Sequence, residues 1–386
     1  MSVERLMFSL IQDEICLNDR DDRAKEVISS EVLPSLFKLS NAHDMAHIVS
    51  NALAKRGFLG TDEISEKFRK CQMIAVLRYE RINYEYKIIV DALENGGIAF
   101  IPLKGSVLRE YYPEPWMRTS CDIDIFIQEA ELERAIECLC AAGCKCGARG
   151  DHDVALRSSG GVSIELHFDL VEDGRANRSH RVLESVWDHA FVKAGYKYWY
   201  ELDSEMFWFY HIAHMAKHFE IGGCGIRPFL DMWILENRTE YEKDKIDTLL
   251  EQGGLLKFAS CCEKLSRVWF DGEEPDSVSL ALEEYVLRGG VYGSVENRVA
   301  ATQNREGGRF KYILSRIFLP LDTMKAIYPL LKKHKWLLPI MHVRRWIRIV
   351  FRGRAKVAVR EFEINRSMPR ENIDRTEELF KDIGLG

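Results

Sequence analysis

Cys121-Asp122-Ile123-Asp124-Ile125-Phe126-Ile127 alternates acidic and apolar residues at the two-residue period of a β-strand. That period puts the Asp122 and Asp124 carboxylates on one face and Ile123 and Ile125 on the other. Two carboxylates held side by side repel, and without a cation one of them tends to take up a proton. A hard divalent ion such as magnesium takes oxygen ligands and removes that repulsion. Asp is a poor strand former, so a merely solvated acidic edge explains two of them between Ile and Phe less well.

The flanking segments extend the pattern. Upstream, Gly97-Ile98-Ala99-Phe100-Ile101-Pro102-Leu103 is a short apolar run closing on Lys104-Gly105, which fits a buried strand better than a helix. Ser106–Tyr112 is then expected to open a helix, with Gly105 supplying an unusual turn and Ser106 the N-cap. Free N–H groups at such a start attract anions, which makes Lys104, Gly105 and Ser106 candidates for holding phosphate. Downstream, residues 154–158 and 162–168 flank Ser159-Gly160-Gly161 and read as a hairpin. Alternation puts Ser163, Glu165 and His167 on one face. Glu165 is therefore a candidate third carboxylate, to bind metal or take a proton from an attacking hydroxyl. His167 is expected to orient Glu165.

Other polar residues are weaker candidates. Arg118 lies four residues before Asp122, where a guanidinium would reach a triphosphate with two parallel hydrogen bonds. His152, in Asp151-His152-Asp153 at the hairpin start, is a candidate substrate contact. From Ser204 a helical pattern returns and sets His211, His214 and His218 near one face, with Arg227 and Asp231 four apart on the next helix. No acid completes a zinc set there, so these histidines are expected to face the cleft or core, with His214 and Arg227 as possible substrate contacts. The Cys138-x-Cys140-x3-Cys144-x-Cys146 tract lacks the usual Cys-x2-Cys zinc spacing and is expected to be structural.

Taken together, the Gly-Ser turn, Asp-x-Asp and later acid resemble the DNA polymerase β-like nucleotidyltransferase superfamily. More closely, Leu103-Lys104-Gly105, Tyr111-Tyr112, Arg118, Asp122-Ile123-Asp124, Gly143 and Glu165-Leu166-His167 are similar to an uncharacterised bacterial nucleotidyltransferase family (NTP_transf_5). The likeness is specific over residues 98–235. It implies a small mixed sheet flanked by helices, two Mg²⁺ ions (with Mn²⁺ as a substitute) and a nucleoside triphosphate donor. It also implies that Gly105 and Ser106 hold the triphosphate, that Asp122 and Asp124 bind both metals, and that Glu165 serves one metal or the acceptor hydroxyl. Two features depart from the pattern. The stretch from Ser106 to Asp122 is longer and carries Pro113 and Pro115, so Tyr112–Trp116 is expected to form a loop at the site rim. Lys104 stands where many relatives carry an apolar residue.

The chain has 386 residues, 46% of them hydrophobic, and a formal charge of −6. It is long enough for two or three cores and does not have the balance of a general nucleic-acid binder. Acids close to Met1, no apolar run of membrane-spanning length and ten cysteines point to a reducing cytoplasm. The expected fold class is α+β: an N-terminal helical region over 1–85, a nucleotidyltransferase core over 86–200 and a helical region over 201–386. Residues 289–308 are expected to be a linker and 367–386 a partly ordered tail.

Residues 331–356 hold nine Lys/Arg and no Asp or Glu, interleaved with Trp, Leu and Ile. Such a segment reads either as a helix packed on the core with a solvated basic face or as a site for an anionic partner, namely a membrane surface, an RNA backbone or an acidic protein. The expected function is transfer of a nucleoside monophosphate to an acceptor hydroxyl on a sugar, small molecule, protein or RNA. Two alternatives stand beside it: an inactive nucleotide-binding scaffold or antitoxin-like partner, and an RNA-directed transferase.

Overall fold

The computed structural model describes residues 2–16, 29–170, 178–291, 293–306, 309–328, 330–351 and 363–386. Residues 352–356 of the basic segment lie outside these. The chain divides into two compact units, Met1–His214 with Ile226–Ser279, and Met215–Gly225 with Leu280–Gly386.

The first unit opens with helices α1 (Val3–Ile15), α2 (Leu33–Ala42), α3 (Ala46–Lys55) and α4 (Glu63–Asn95). The 33 residues of α4 start where the Asp62 carboxylate accepts from the Ile64 and Ser65 amides. Such a cap satisfies two of the four N–H groups that a helix start leaves without partners. The helix ends at Gly96-Gly97, where Gly97 has φ +66°. Ile82, Ile89, Val90 and Leu93 on one side of α4 are buried against the sheet.

Five strands build that sheet: β1 (Phe100–Pro102), β2 (Asp122–Ile127), β3 (Lys145–Arg149), β4 (Asp153–Arg157) and β5 (Ser163–His167), in the order β1-β2-β5-β4-β3. β2 and β5 are parallel; every other pairing is antiparallel. The fold is thus α+β with a small mixed sheet. Parallel pairing requires a crossover, and here it consists of helix α5 (Leu132–Ala141) followed by β3 and β4. Ile123, Ile125 and Ile127 of β2 and Ile164 and Leu166 of β5 are fully buried with Leu132, Ala135 and Leu139 of α5. Each such aliphatic side chain contributes about 1.5–3 kcal/mol through burial. The same alternation puts the acids of β2 and β5 on the opposite face, off this core.

A second ribbon, β6 (Ala190–Val192) with β7 (Tyr200–Leu202), joins the edge of β1 through the Phe100 amide, which donates to the Tyr198 carbonyl. Helix α6 (Ser204–Glu220) follows, then α7 (Arg227–Arg238), α8 (Lys243–Gly253) and α9 (Leu256–Phe270).

In the second unit, Val295–Glu306 is a helix, not a linker, and buries Val299 and Ala300 with Tyr312 and Met368. Arg370–Asp382 is likewise helical, with Leu379 and Phe380 buried, so the charged C-terminus is not a loose tail. In both segments the apolar residues recur at helical spacing behind a charged outer face, which masks them in composition. No helix among the described residues is long and apolar enough to cross a membrane.

Candidate active site

The parallel register places Asp124 opposite Glu165 and Asp122 opposite Ser163. Side chains at paired positions of adjacent strands share a face, so Asp122, Asp124, Glu165 and His167 converge at one place. Among the described residues, Asp124, Glu165 and His167 form the group whose ligand atoms all lie within 4.8 Å of one another. His167 Nε2 is 3.1 Å from Asp124 Oδ1 and 3.5 Å from Glu165 Oε2. It therefore bridges two carboxylates across the strands, where the sequence pattern had it serving Glu165 alone. His152 stacks on His167 at 6.3 Å with the ring planes 13° apart.

Lys104 completes the cluster. Its Nζ donates to Asp124 Oδ1 at 2.8 Å. The residue adopts φ +47°, a conformation unusual for any residue but glycine, so the special turn falls on Lys104 and not on Gly105. Such backbone strain persists where surrounding contacts enforce it. Gly105 is needed for a different reason: a Cβ there would come 3.1 Å from the Ser120 Cβ. The helix expected from Ser106 is only one turn, Gly105–Leu108, followed by a 3-10 turn, Arg109–Tyr111. The Ser106 and Val107 amides already donate to the Leu103 and Lys104 carbonyls. Those two amides are thus committed within the turn, and the Lys104 ammonium and the Ser106 hydroxyl stand beside them.

Charges in the cluster are unequal. Burial raises the Asp124 pKa, but Lys104 and the His167 hydrogen bond outweigh it, so the carboxyl sits well below its usual range. Asp122 and Glu165 shift the other way, each raised by burial and then by the neighbouring Asp124 charge. Negative charge is thus only partly compensated. Two carboxylates from adjacent strands, a third two residues away and an imidazole fit a divalent cation with hard oxygen ligands. Tyr210 on α6, which the sequence pattern did not single out, is buried within electrostatic reach of Lys104, Asp124 and Glu165, and burial raises its pKa.

Arg118 lies beside the turn, its Nη1 3.5 Å from where a Gly105 Cβ would stand, but its hydrogen bonds go elsewhere. Its guanidinium is 9% exposed and donates to Asp231 Oδ1 at 2.7 Å and to the Thr119 carbonyl. Tyr112 donates to the same Asp231 oxygen at 2.8 Å, which draws the Tyr112–Trp116 segment inward from the rim. Arg227 also turns to the segment before β2, donating to the Thr119 carbonyl at 3.0 Å and to Asp44. Two arginines and one buried aspartate thus hold Arg118-Thr119, immediately upstream of Asp122. His214 lies beside Tyr210, ring centres 6.2 Å apart, while His211 is buried and donates to the Pro228 carbonyl. Cys138, Cys140, Cys144 and Cys146 are free thiols, with Cys140 and Cys146 exposed.

A cavity of about 340 Å³ opens beside the Lys104-Gly105-Ser106 turn. Ser106, Tyr86, Tyr111, Trp199, Phe191 and Glu110 are among its lining residues. Ser106 is only 6% exposed and belongs both to the turn and to the cavity wall.

No curated protein and no solved structure matches the chain significantly. A family model does, described as uncharacterised nucleotidyltransferase, and its match over residues 30–271 takes in the sheet, the carboxylate cluster, the Arg118–Asp231 pair and the cavity. The chain belongs to that nucleotidyltransferase family.

Proposed function

We propose that the protein transfers a nucleoside monophosphate group from a nucleoside triphosphate to an acceptor hydroxyl. The observation that carries this reading is the parallel β2–β5 register, which sets Glu165 beside Asp124 next to the Lys104-Gly105-Ser106 turn. Asp122, Asp124 and Glu165 would hold one or two divalent ions, Mg²⁺ or Mn²⁺, with His167 beside them, and bound metal would neutralise charge on the phosphoryl group and activate the hydroxyl.

The chain's own residues position and deprotonate. Glu165, with its pKa raised by burial and Asp124, is suited to accept the proton of the attacking hydroxyl. The acceptor oxygen then bonds to the α-phosphorus in line, while the bond to the bridging oxygen breaks and pyrophosphate leaves. Lys104 supplies positive charge to the triphosphate, and Ser106 donates a hydrogen bond to it. Arg118, already committed to Asp231, acts by holding the strand entry, and Arg227 does the same through Thr119. His152 and His214 stay near the cluster as substrate contacts. The cavity beside Ser106 has the size and aromatic lining to take a nucleoside or a small acceptor. A cytoplasmic setting suits exposed free cysteines such as Cys140 and Cys146.

Each α-³²P-labelled nucleoside triphosphate with Mg²⁺, with and without cell extract, tests the reading against an Asp122→Asn/Asp124→Asn variant. Label transferred by the wild type and not by the variant is the expected result. Nucleotide binding without any transfer would favour a nucleotide-binding scaffold instead. Absence of nucleotide binding would remove the site assignment.

A further inference from the structure

The basic segment forms a helix with two distinct faces. Leu338–Phe351, here α10, turns Met341 and His342 inward, where Met341 packs with Met324, Tyr328 and Leu331. Trp346 stacks with His342 and donates to the Ile317 carbonyl, and Arg345 donates to the Arg316 and Ile317 carbonyls. The inner face over residues 341–346 is therefore defined by its contacts.

On the outer face Ile340, Val343 and Ile347 recur at helical spacing and are 54%, 49% and 52% exposed. Trp336, one turn upstream, is 72% exposed. Such a row on the outside of a helix already anchored on its other side has no role in the core. Lys332, Lys333, Lys335, Arg344 and Arg348, all exposed, flank it. No acid interrupts residues 331–356, although the whole chain carries −6.

We infer that this face lies on an anionic membrane surface. An interfacial helix needs a branched or aromatic stripe to enter the acyl boundary and basic residues beside it to meet anionic headgroups. A Trp at one end suits the headgroup level. The charge complementarity decides among occupants: a second copy of the same face would set like charges against each other. An RNA backbone would use the basic residues but leave the aliphatic row in water. The helix lies along the surface and spans nothing. The inference is independent of the transferase reading, since none of these residues belongs to the carboxylate cluster.

Sedimentation of the full chain with phosphatidylcholine–phosphatidylglycerol vesicles, against pure phosphatidylcholine, tests it. The wild type is expected to partition onto the anionic vesicles and to lose about tenfold in partitioning when salt is raised or when Lys332, Lys333 and Lys335 are replaced by Gln. Trp336→Ser/Ile340→Ser/Ile347→Ser is expected to abolish binding at unchanged net charge. The exposed Lys→Gln set and the salt series keep the test decisive even if the apolar variant folds poorly. Lack of wild-type binding to anionic vesicles overturns the inference, as does binding that survives both sets of substitutions. Salt-sensitive RNA binding or dimerisation, lost on the same substitutions without vesicle binding, would assign the face to those partners.

Discussion

Lys104 Nζ lies 2.8 Å from Asp124 Oδ1, so an ammonium already meets one oxygen of the carboxylate proposed to hold a cation. The side chains are 20% and 5% exposed, which leaves little water to screen them. Under the proposed function, lysine and metal would compete for Asp124, and release of Lys104 would free it to meet a triphosphate. Lys104→Met is expected to raise Mn²⁺ affinity about tenfold while lowering transfer. Titration calorimetry with Mn²⁺ alone checks the first half; unchanged affinity would sink the competition.

The two aspartates of β2 should differ in stability as well as in turnover. Asp124→Asn strips Lys104 of its buried partner and is expected to destabilise the fold by about 3 kcal/mol. Asp122→Asn removes a carboxylate whose ionisation burial and Asp124 both disfavour, so it should raise the melting temperature. Urea unfolding and thermal melts in chelator decide this, and a shared direction for both variants would contradict the charge assignment. Both should lose transfer activity.

Arg118 and Asp231 form a buried pair between segments 113 residues apart, and Asp231 Oδ2 has no hydrogen-bond partner among the described residues. Arg118→Ala is expected to cost about 3–5 kcal/mol, since it leaves Asp231 buried and uncompensated. The Arg118→Ala/Asp231→Ala double variant should cost less than the two single changes summed. Additive losses in denaturant unfolding would mean the pair is not coupled.

Two buried histidines tie stability to pH. His47 donates to the Met117 carbonyl and His211 to that of Pro228, and burial lowers the pKa of each. Both are neutral when folded, whereas the unfolded chain takes up protons near pH 6.5. Their contribution is complete above that value and is lost as pH falls from there toward the lowered folded values. The melting temperature should drop between pH 7 and 5, and His47→Gln/His211→Gln should flatten that drop. An equally steep fall in the variant would assign it elsewhere.

The strands of the site were legible because the β1 run is short and closes on Lys104-Gly105, and the β2 run carries acids at alternate positions. Asp122, Asp124 and Glu165 were placed on the right faces by that period alone. What the period does not encode is which strands adjoin. The β2–β5 pairing decides that His167 meets Asp124, and it depends on a crossover of 35 positions from Ile127 to Ser163. Arg118 read as a phosphate ligand because its partner is a distant aspartate on α7. The strained turn was assigned to Gly105 because glycine tolerates such backbone most easily, yet contacts around Lys104 impose it there.

The parallel pairing also governs when the site comes into being during synthesis. Asp124 has Lys104 upstream but lacks His167 until residue 167 has left the ribosome, and Arg118 stays without its counter-charge until residue 231 follows. A half-made chain carries the aspartates without the Glu165 and His167 that join them across β2 and β5. The carboxylate cluster is therefore complete only with β5, and the strand entry only with α7.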